Sequence, residues 1–230
     1  MQDIVKKEFK QMALEATHRF FELGLSTSRD SGDISIRDPE TDLLYIDPRP
    51  DKNFKILNWG CINIDDIVVI DMEGNIVDGG PGNKFPTVEW PMHLAIYKSR
   101  PETYAIVHSH ALHSGVFAAL GWNIPAVLAE SALSTGGDVI CAEYGKVSSK
   151  QLADNIAVAL GDTRKAALLK QHGAVYIGKN IDEALTVGEY VERCAQTVIM
   201  GWSMNGRFPY LDISLEGLLD ESIIAIADEI

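Results

Sequence analysis

Apolar residues at Ile4, Phe9, Met12, Ala13, Ala16, Phe20, Phe21 and Leu23 recur at helical spacing. They predict an amphipathic helix over residues 3–24 that stops at Gly24. Beyond a turn-rich STSRDSGD loop the period drops to two, and ISIRD (34–38) and LLYID (43–47) read as strands. Asp38-Pro39-Glu40-Thr41-Asp42 makes the turn between them, so the pair predicts a β-hairpin. A second hairpin is predicted from Ile67–Asp71 and Ile76-Val77 across Glu73-Gly74-Asn75, which is good turn chemistry. Residues 48–60 are irregular, and Gly79-Gly80-Pro81-Gly82 opens a loop without the lysine and hydroxyl of a phosphate-binding P-loop. Further helices are expected over 90–99, 113–120, 148–160 (serine-capped), 181–200 and 218–230. Further strands are expected over 104–107, 139–141, 166–170 and 174–177. Short strands with interspersed helices describe one α/β domain over residues 1–230, its sheet largely antiparallel and its helices on the sheet faces.

Composition adds exclusions. With 46% hydrophobic and 23% charged residues among 230, the chain is an ordinary globular sequence large enough for a real core. No apolar run reaches the length that spans a bilayer, and the first residues lack a signal-peptide core, so no membrane partner and a cytoplasmic location are expected. A formal charge of −13 argues against nucleic acid as a partner. Cys61, Cys141 and Cys194 are odd in number and widely spaced, and they read as free thiols.

The chemistry concentrates in PTVEWPMHLAIYKSRPETYAIVHSHALH, residues 86–113. His108 and His110 flank one residue at the end of a strand, and period-two alternation points both imidazoles the same way. His172 follows another apolar run, with Gly173 beside it to let the backbone turn. Three histidines with a carboxylate, Glu89, suit a divalent metal. His93, inside the 90–99 helix, reads as a packed residue rather than a ligand.

SGDIS, the 86–114 stretch and LLKQHGAVYIGKNIDEAL occur in an order and spacing that resemble the class II aldolase/adducin family. The resemblance is strongest over residues 5–200 and leaves 201–230 as a tail. It implies a three-layer domain with helices on both faces of a mostly antiparallel sheet, and a role in carbohydrate metabolism. It also implies a divalent metal on His108, His110 and His172, zinc first, with manganese, cobalt or magnesium as alternatives. Glu89 becomes the acid/base, and the Glu-Trp pair favours the aldolases over the epimerases. The implied function is a metal-dependent carbon–carbon lyase that cleaves a hydroxy-ketone or sugar-like small molecule through a metal-stabilised enediolate. The implied assembly is a homotetramer with active sites between subunits.

The substrate loops depart from the family pattern. Asp30, Gly32 and Asp33 stand where T-x-G-N is usual, Arg49 follows Asp47-Pro48 where a small hydroxyl is usual, and Thr87-Val88 replaces two serines. Carboxylates facing a phosphate dianion repel it, so the ordinary phosphate site is expected to be lost or moved. Arg49 could instead clamp an acid, oriented by the two aspartates. Decarboxylation of a 3-oxo acid, sugar-phosphate epimerisation and an adducin-like structural module remain alternatives. The second proton donor is left between Glu130, Tyr144 and Tyr210.

Overall fold

The computed structural model describes residues 4–206 with the exception of Ser28. The chain runs α1 (Lys7–Glu22), β1 (Asp33–Arg37), β2 (Leu44–Ile46), β3 (Val68–Ile70), β4 (Ile76–Asp78), α2 (Trp90–Ser99) and β5 (Ala105–Ser109). It continues through α3 (Leu112–Leu120), α4 (Ala129–Thr135), β6 (Ile140–Ala142), α5 (Lys150–Leu160), β7 (Ala166–Leu169), β8 (Gly173–Gly178) and α6 (Ile181–Asn205). The strands expected from alternation all form, and so do the helices expected within the described residues. The helix expected over 218–230 lies outside those residues. The short α4 was not expected. Its seven residues, AESALST, are too few to show a period, and it is held by packing on α6.

The eight strands form one sheet in the order β4-β3-β2-β1-β5-β8-β7-β6. Neighbouring strands are antiparallel except β6 and β7. Strand parity sorts the side chains into two cores. Ile34, Ile36, Tyr45, Val69, Val107, Leu168 and Tyr176 face α1, α3 and α6, whereas Leu44, Ile46, Ile70, Ile106, Leu169 and Val175 face α2 and α5. Both faces are buried, so the central strands carry nearly continuous apolar runs. Helix starts follow the capping signals: Ser149 Oγ accepts the Leu152 N–H at 3.1 Å, and Asn180 Oδ1 accepts the Glu183 N–H at 2.8 Å. No described helix is long and apolar enough to cross a membrane.

One buried carboxyl ties α1 to the sheet. Asp47, directly after β2, accepts the Ile34 N–H at 2.8 Å through one oxygen, and its other oxygen lies 2.7 Å from Thr17 Oγ1. Thr17 Oγ1 also lies 2.9 Å from the Ala13 carbonyl, and its single proton cannot serve two acceptors. A protonated Asp47 resolves this by donating to Thr17 while Thr17 donates to Ala13. Burial, with the charge of Asp33 nearby, pushes the Asp47 carboxyl up to about 8. The folded chain therefore holds a proton there that the unfolded chain has released above the ordinary value of 3.8. Stability from this group is full below that value and is lost as pH rises toward 8. Urea unfolding should show stability falling between pH 5 and pH 8 by up to roughly 1 kcal/mol per pH unit. Asp47→Asn, which keeps the shape and stays neutral, should flatten that fall.

Candidate metal centre and active cleft

Pairing of β1 with β5 sets His108 opposite Asp33, and pairing of β5 with β8 sets His108 opposite Val175. The imidazole of His108 thus lies on the α2 side of the sheet. His110 follows one residue past the strand end. Between them Ser109 pins the exit, with Oγ donating to the Leu25 carbonyl at 2.7 Å and accepting the Ala111 N–H at 3.1 Å. His172 belongs to the three-residue turn between β7 and β8. The turn itself comes from Gln171, which takes the left-handed conformation at φ 57°, and not from Gly173 as expected. Gly173 is a strand residue whose smallness is the point. A Cβ there would sit 2.4 Å from the Ser109 carbonyl oxygen and 3.1 Å from the His110 ring.

The three rings meet edge-on with centroids 4.8–5.1 Å apart, and one nitrogen of each lies within 4.8 Å of the other two. His108 Nδ1 donates to the Ala174 carbonyl at 3.0 Å, which leaves Nε2 as a lone pair aimed at the cluster. His110 Nε2 is 3.0 Å from it. Two imidazole nitrogens bound to one tetrahedral zinc lie about 3.4 Å apart, so the donor set fits such an ion with small adjustments. Burial pushes all three histidines down to about 4, so they are neutral donors at physiological pH.

Glu89 sits at the entrance to α2, its Oε1 3.8 Å from His172 Nε2. It is buried, and neither carboxylate oxygen has a hydrogen-bond partner among the described residues. Burial pushes its carboxyl up to about 7, with the charge of Asp33 adding to the rise and the Ser148 backbone opposing it. A buried, unpaired acid beside three neutral imidazoles is costly unless a cation or substrate engages it.

Asp33 is spent differently from the expectation. Its Oδ1 pairs with His93 Nε2 at 2.8 Å, and its Oδ2 accepts from Thr87 Oγ1 at 2.6 Å. The chain of contacts continues from His93 Nδ1 to Ser35 Oγ at 2.7 Å and on to the Tyr97 hydroxyl at 2.9 Å. Although burial opposes it, His93, His108 and Thr87 hold the Asp33 carboxyl down to about 2. His93 is thus the packed residue expected, and its packing fixes Asp33. Arg49, which was expected to be oriented by the aspartates, is not: its guanidinium stacks on the Phe85 ring at 4.8 Å.

A cleft of about 500 Å³ brings together Glu89, His108, His110 and His172 with Asp30, Gly32, Asp33, Arg49, Thr87 and Val88. Sequence reasoning missed Trp59, Phe85, Asp51 and Val147, which line it too. Phe85 and Asp51 lie beside segments that had been singled out, but nothing local marks Val147. It arrives because Ser148, at φ 62°, donates from Oγ to the Val88 carbonyl at 2.6 Å and ties two loops distant in sequence. Of the candidate proton donors, Glu130 lies on α4, 3.5 Å from Arg193 Nη1, and Tyr144 is exposed on the loop after β6. Neither lines this cleft, and Tyr210 lies outside the described residues.

Residues 11–199 match the family described as Class II Aldolase and Adducin N-terminal domain. The chain is 35% identical to a 5-deoxy-D-ribulose 1-phosphate aldolase of Bacillus thuringiensis over 170 residues, 74% of this chain and 75% of the relative. It is 33% identical to an L-fuculose phosphate aldolase of Escherichia coli over 163 residues, 71% and 70% of the two chains. A solved L-fuculose 1-phosphate aldolase superposes with a TM-score of 0.81 at 30% identity, covering 98% of this chain and 97% of that one.

Gly173→Ala tests the packing of the cluster. It should cost about 1–3 kcal/mol in thermal or urea unfolding and weaken any divalent-metal binding roughly ten- to a hundredfold by displacing the two rings. Gly115→Ala, within α3 and with open space around it, should be neutral or mildly stabilising.

Proposed function

The chain belongs to the class II aldolase and adducin family, and from that premise we propose that it is a metal-dependent carbon–carbon lyase, an aldolase that cleaves a hydroxy-ketone or sugar-like substrate. The observation that carries this reading is an acid with no partner beside a ready donor set. Glu89 is buried and unbonded among the described residues, next to three neutral imidazoles whose nitrogens converge within 4.8 Å. A structural module would have no use for that costly arrangement.

His108, His110 and His172 would hold the divalent cation, and an all-imidazole set of neutral donors favours zinc. When bound, the cation supplies Lewis acidity toward the substrate carbonyl and toward the negative charge that develops as the bond breaks. Glu89 holds or releases the proton at its carboxylate, and a carboxyl near 7 makes both forms available at neutral pH. Thr87 and His93 keep the neighbouring Asp33 ionised and fixed, so it is not the proton carrier. The named relatives act on sugar phosphates. For this chain the broader class of hydroxy-ketones is proposed, because Asp33 lines the cleft beside the histidines.

A homotetramer with clefts completed by neighbouring copies is part of the same proposal. Helix α3 leaves Leu112, Val116 and Leu120 exposed four residues apart on one face, which suits a second copy. Neither Glu130 nor Tyr144 lines the cleft of a single chain, so in this reading a neighbouring copy supplies the second proton donor. A cytoplasmic location goes with three free cysteines.

Elemental analysis of the purified protein should find about one zinc per chain. His110→Ala should lose it together with retro-aldol turnover across a panel of phosphorylated and unphosphorylated ketoses and 3-oxo acids. Glu89→Gln should keep the metal and lose roughly 10²–10⁴-fold in kcat. Protein that carries no metal and takes up neither zinc nor manganese would sink the enzyme reading, and full turnover in Glu89→Gln would remove that residue from the acid/base role. Light scattering should give a mass near four times the 25.3 kDa chain.

A further inference from the structure

The sheet places two of the three histidines. His108 is a β5 residue paired on both sides, and His172 belongs to the short turn that joins β7 to β8. His110 has no such support. It lies past the last residue of β5 and two residues before α3. Its ring is therefore aimed by whatever fixes the chain between Ser109 and the first turn of that helix.

Part of the fixing is local. Ser109 Oγ takes the Ala111 N–H, and Thr27 Oγ1 donates to the His110 carbonyl at 2.9 Å. The start of α3 is not held locally. Its N-cap position is Ala111, whose methyl group offers nothing to the N–H groups of the first turn. The acceptor comes from α6 instead. Glu192 Oε1 accepts the Ser114 N–H at 2.7 Å, while Oε2 accepts the His113 N–H and the His113 Nδ1–H, each at 3.0 Å. One carboxylate, its side chain only 16% exposed, thus gathers these donors at the positive end of α3.

Glu192 reaches α3 because α6 comes close to the sheet one turn earlier. Gly188 lies on the same helix face, and a Cβ there would sit 2.7 Å from the Tyr176 ring and 3.0 Å from the Leu25 side chain. Leu25 also supplies the carbonyl that Ser109 Oγ bonds. The approach that seats α6 on β8 therefore sets it against the same segment that anchors the strand exit.

We propose that Glu192 is a positioning residue of the metal centre: by capping α3 from α6 it holds the backbone that aims His110. It does not line the cleft and is not one of the converging donors, so it acts through His110 alone. The proposal rests on the metal-centre reading and extends it to a residue outside the cleft.

Zinc affinity, measured by competition with a chromophoric chelator, tests this role. Glu192→Ala should weaken binding about tenfold or more. Glu192→Gln, whose amide oxygen still accepts from the first turn, should fall between that variant and the parent. The visible spectrum of the cobalt-loaded protein reads donor geometry and should change in Glu192→Ala. Val187→Ala truncates a buried side chain on the same helix. It should lower the unfolding midpoint yet leave affinity and spectrum as in the parent. Glu189→Gln, which removes an exposed charge three residues away, should change none of the three. Parent-like affinity and spectrum in the Glu192 variants, or a loss no larger than that of Val187→Ala, overturn the proposal and leave the metal centre standing. If Glu192→Ala does not fold, Glu192→Gln decides on the same criteria. A parent protein that takes up neither zinc nor cobalt overturns the proposal together with the reading beneath it.

Discussion

The antiparallel pairing of β1 with β5 is the constraint from which the site follows. It sets Asp33 opposite His108, and a slip of β1 by one residue would turn Asp33 onto the α1 face and away from His108, whose own facing is held by β8. Parity then decides the rest of the lower shell. Ser35, two residues on, faces α2 and meets His93 and Tyr97, while Ile34 and Ile36 enter the opposite core. The apolar contacts that fix the register are therefore the same contacts that aim the polar side chains.

Around that pairing the site is assembled from strand ends and loops, the places where a sheet of buried strands meets solvent. His108 and His110 come from the end of β5, His172 from the turn before β8, and Glu89 from the entrance to α2. Each is held by something outside itself. The Ala174 carbonyl holds His108, Ser109 holds the backbone that carries His110, and the missing Cβ of Gly173 leaves room for two rings. Rigid placement matters here because a metal and its substrate tolerate little error in donor position.

Two of the three buried carboxyls of this region, Asp33 and Asp47, are handled in opposite ways. Asp33 has His93 and Thr87 on its oxygens and stays charged, whereas Asp47 has a hydroxyl and one amide and holds a proton. Glu89 has no side-chain hydrogen bond among the described residues, and burial outweighs the opposing Ser148 backbone to push its carboxyl up to about 7. Identical chemistry at three carboxyls thus yields one held ionised, one held protonated and one poised near neutrality, according to what each one touches.

Alternation and helical spacing determined the strands, the larger helices and the two-faced sheet, because hydrophobic period is a local property of the chain. His108 and His110 were legible for the same reason, since two residues apart on a strand means one side. His172 and Glu89 were legible through motif and spacing, but their convergence depends on the packing of β5, β8 and α2. Tertiary structure alone decided that Asp33 answers to His93 and not to Arg49, that Arg49 lies on Phe85, and that Val147 closes the cleft from a distant loop. Gly173 is the sharpest case. The sequence suggested a turn, but the fold uses the residue for the space it leaves under two imidazoles. Whether a Cβ would collide is a property of the neighbours, and those neighbours come together only through the sheet.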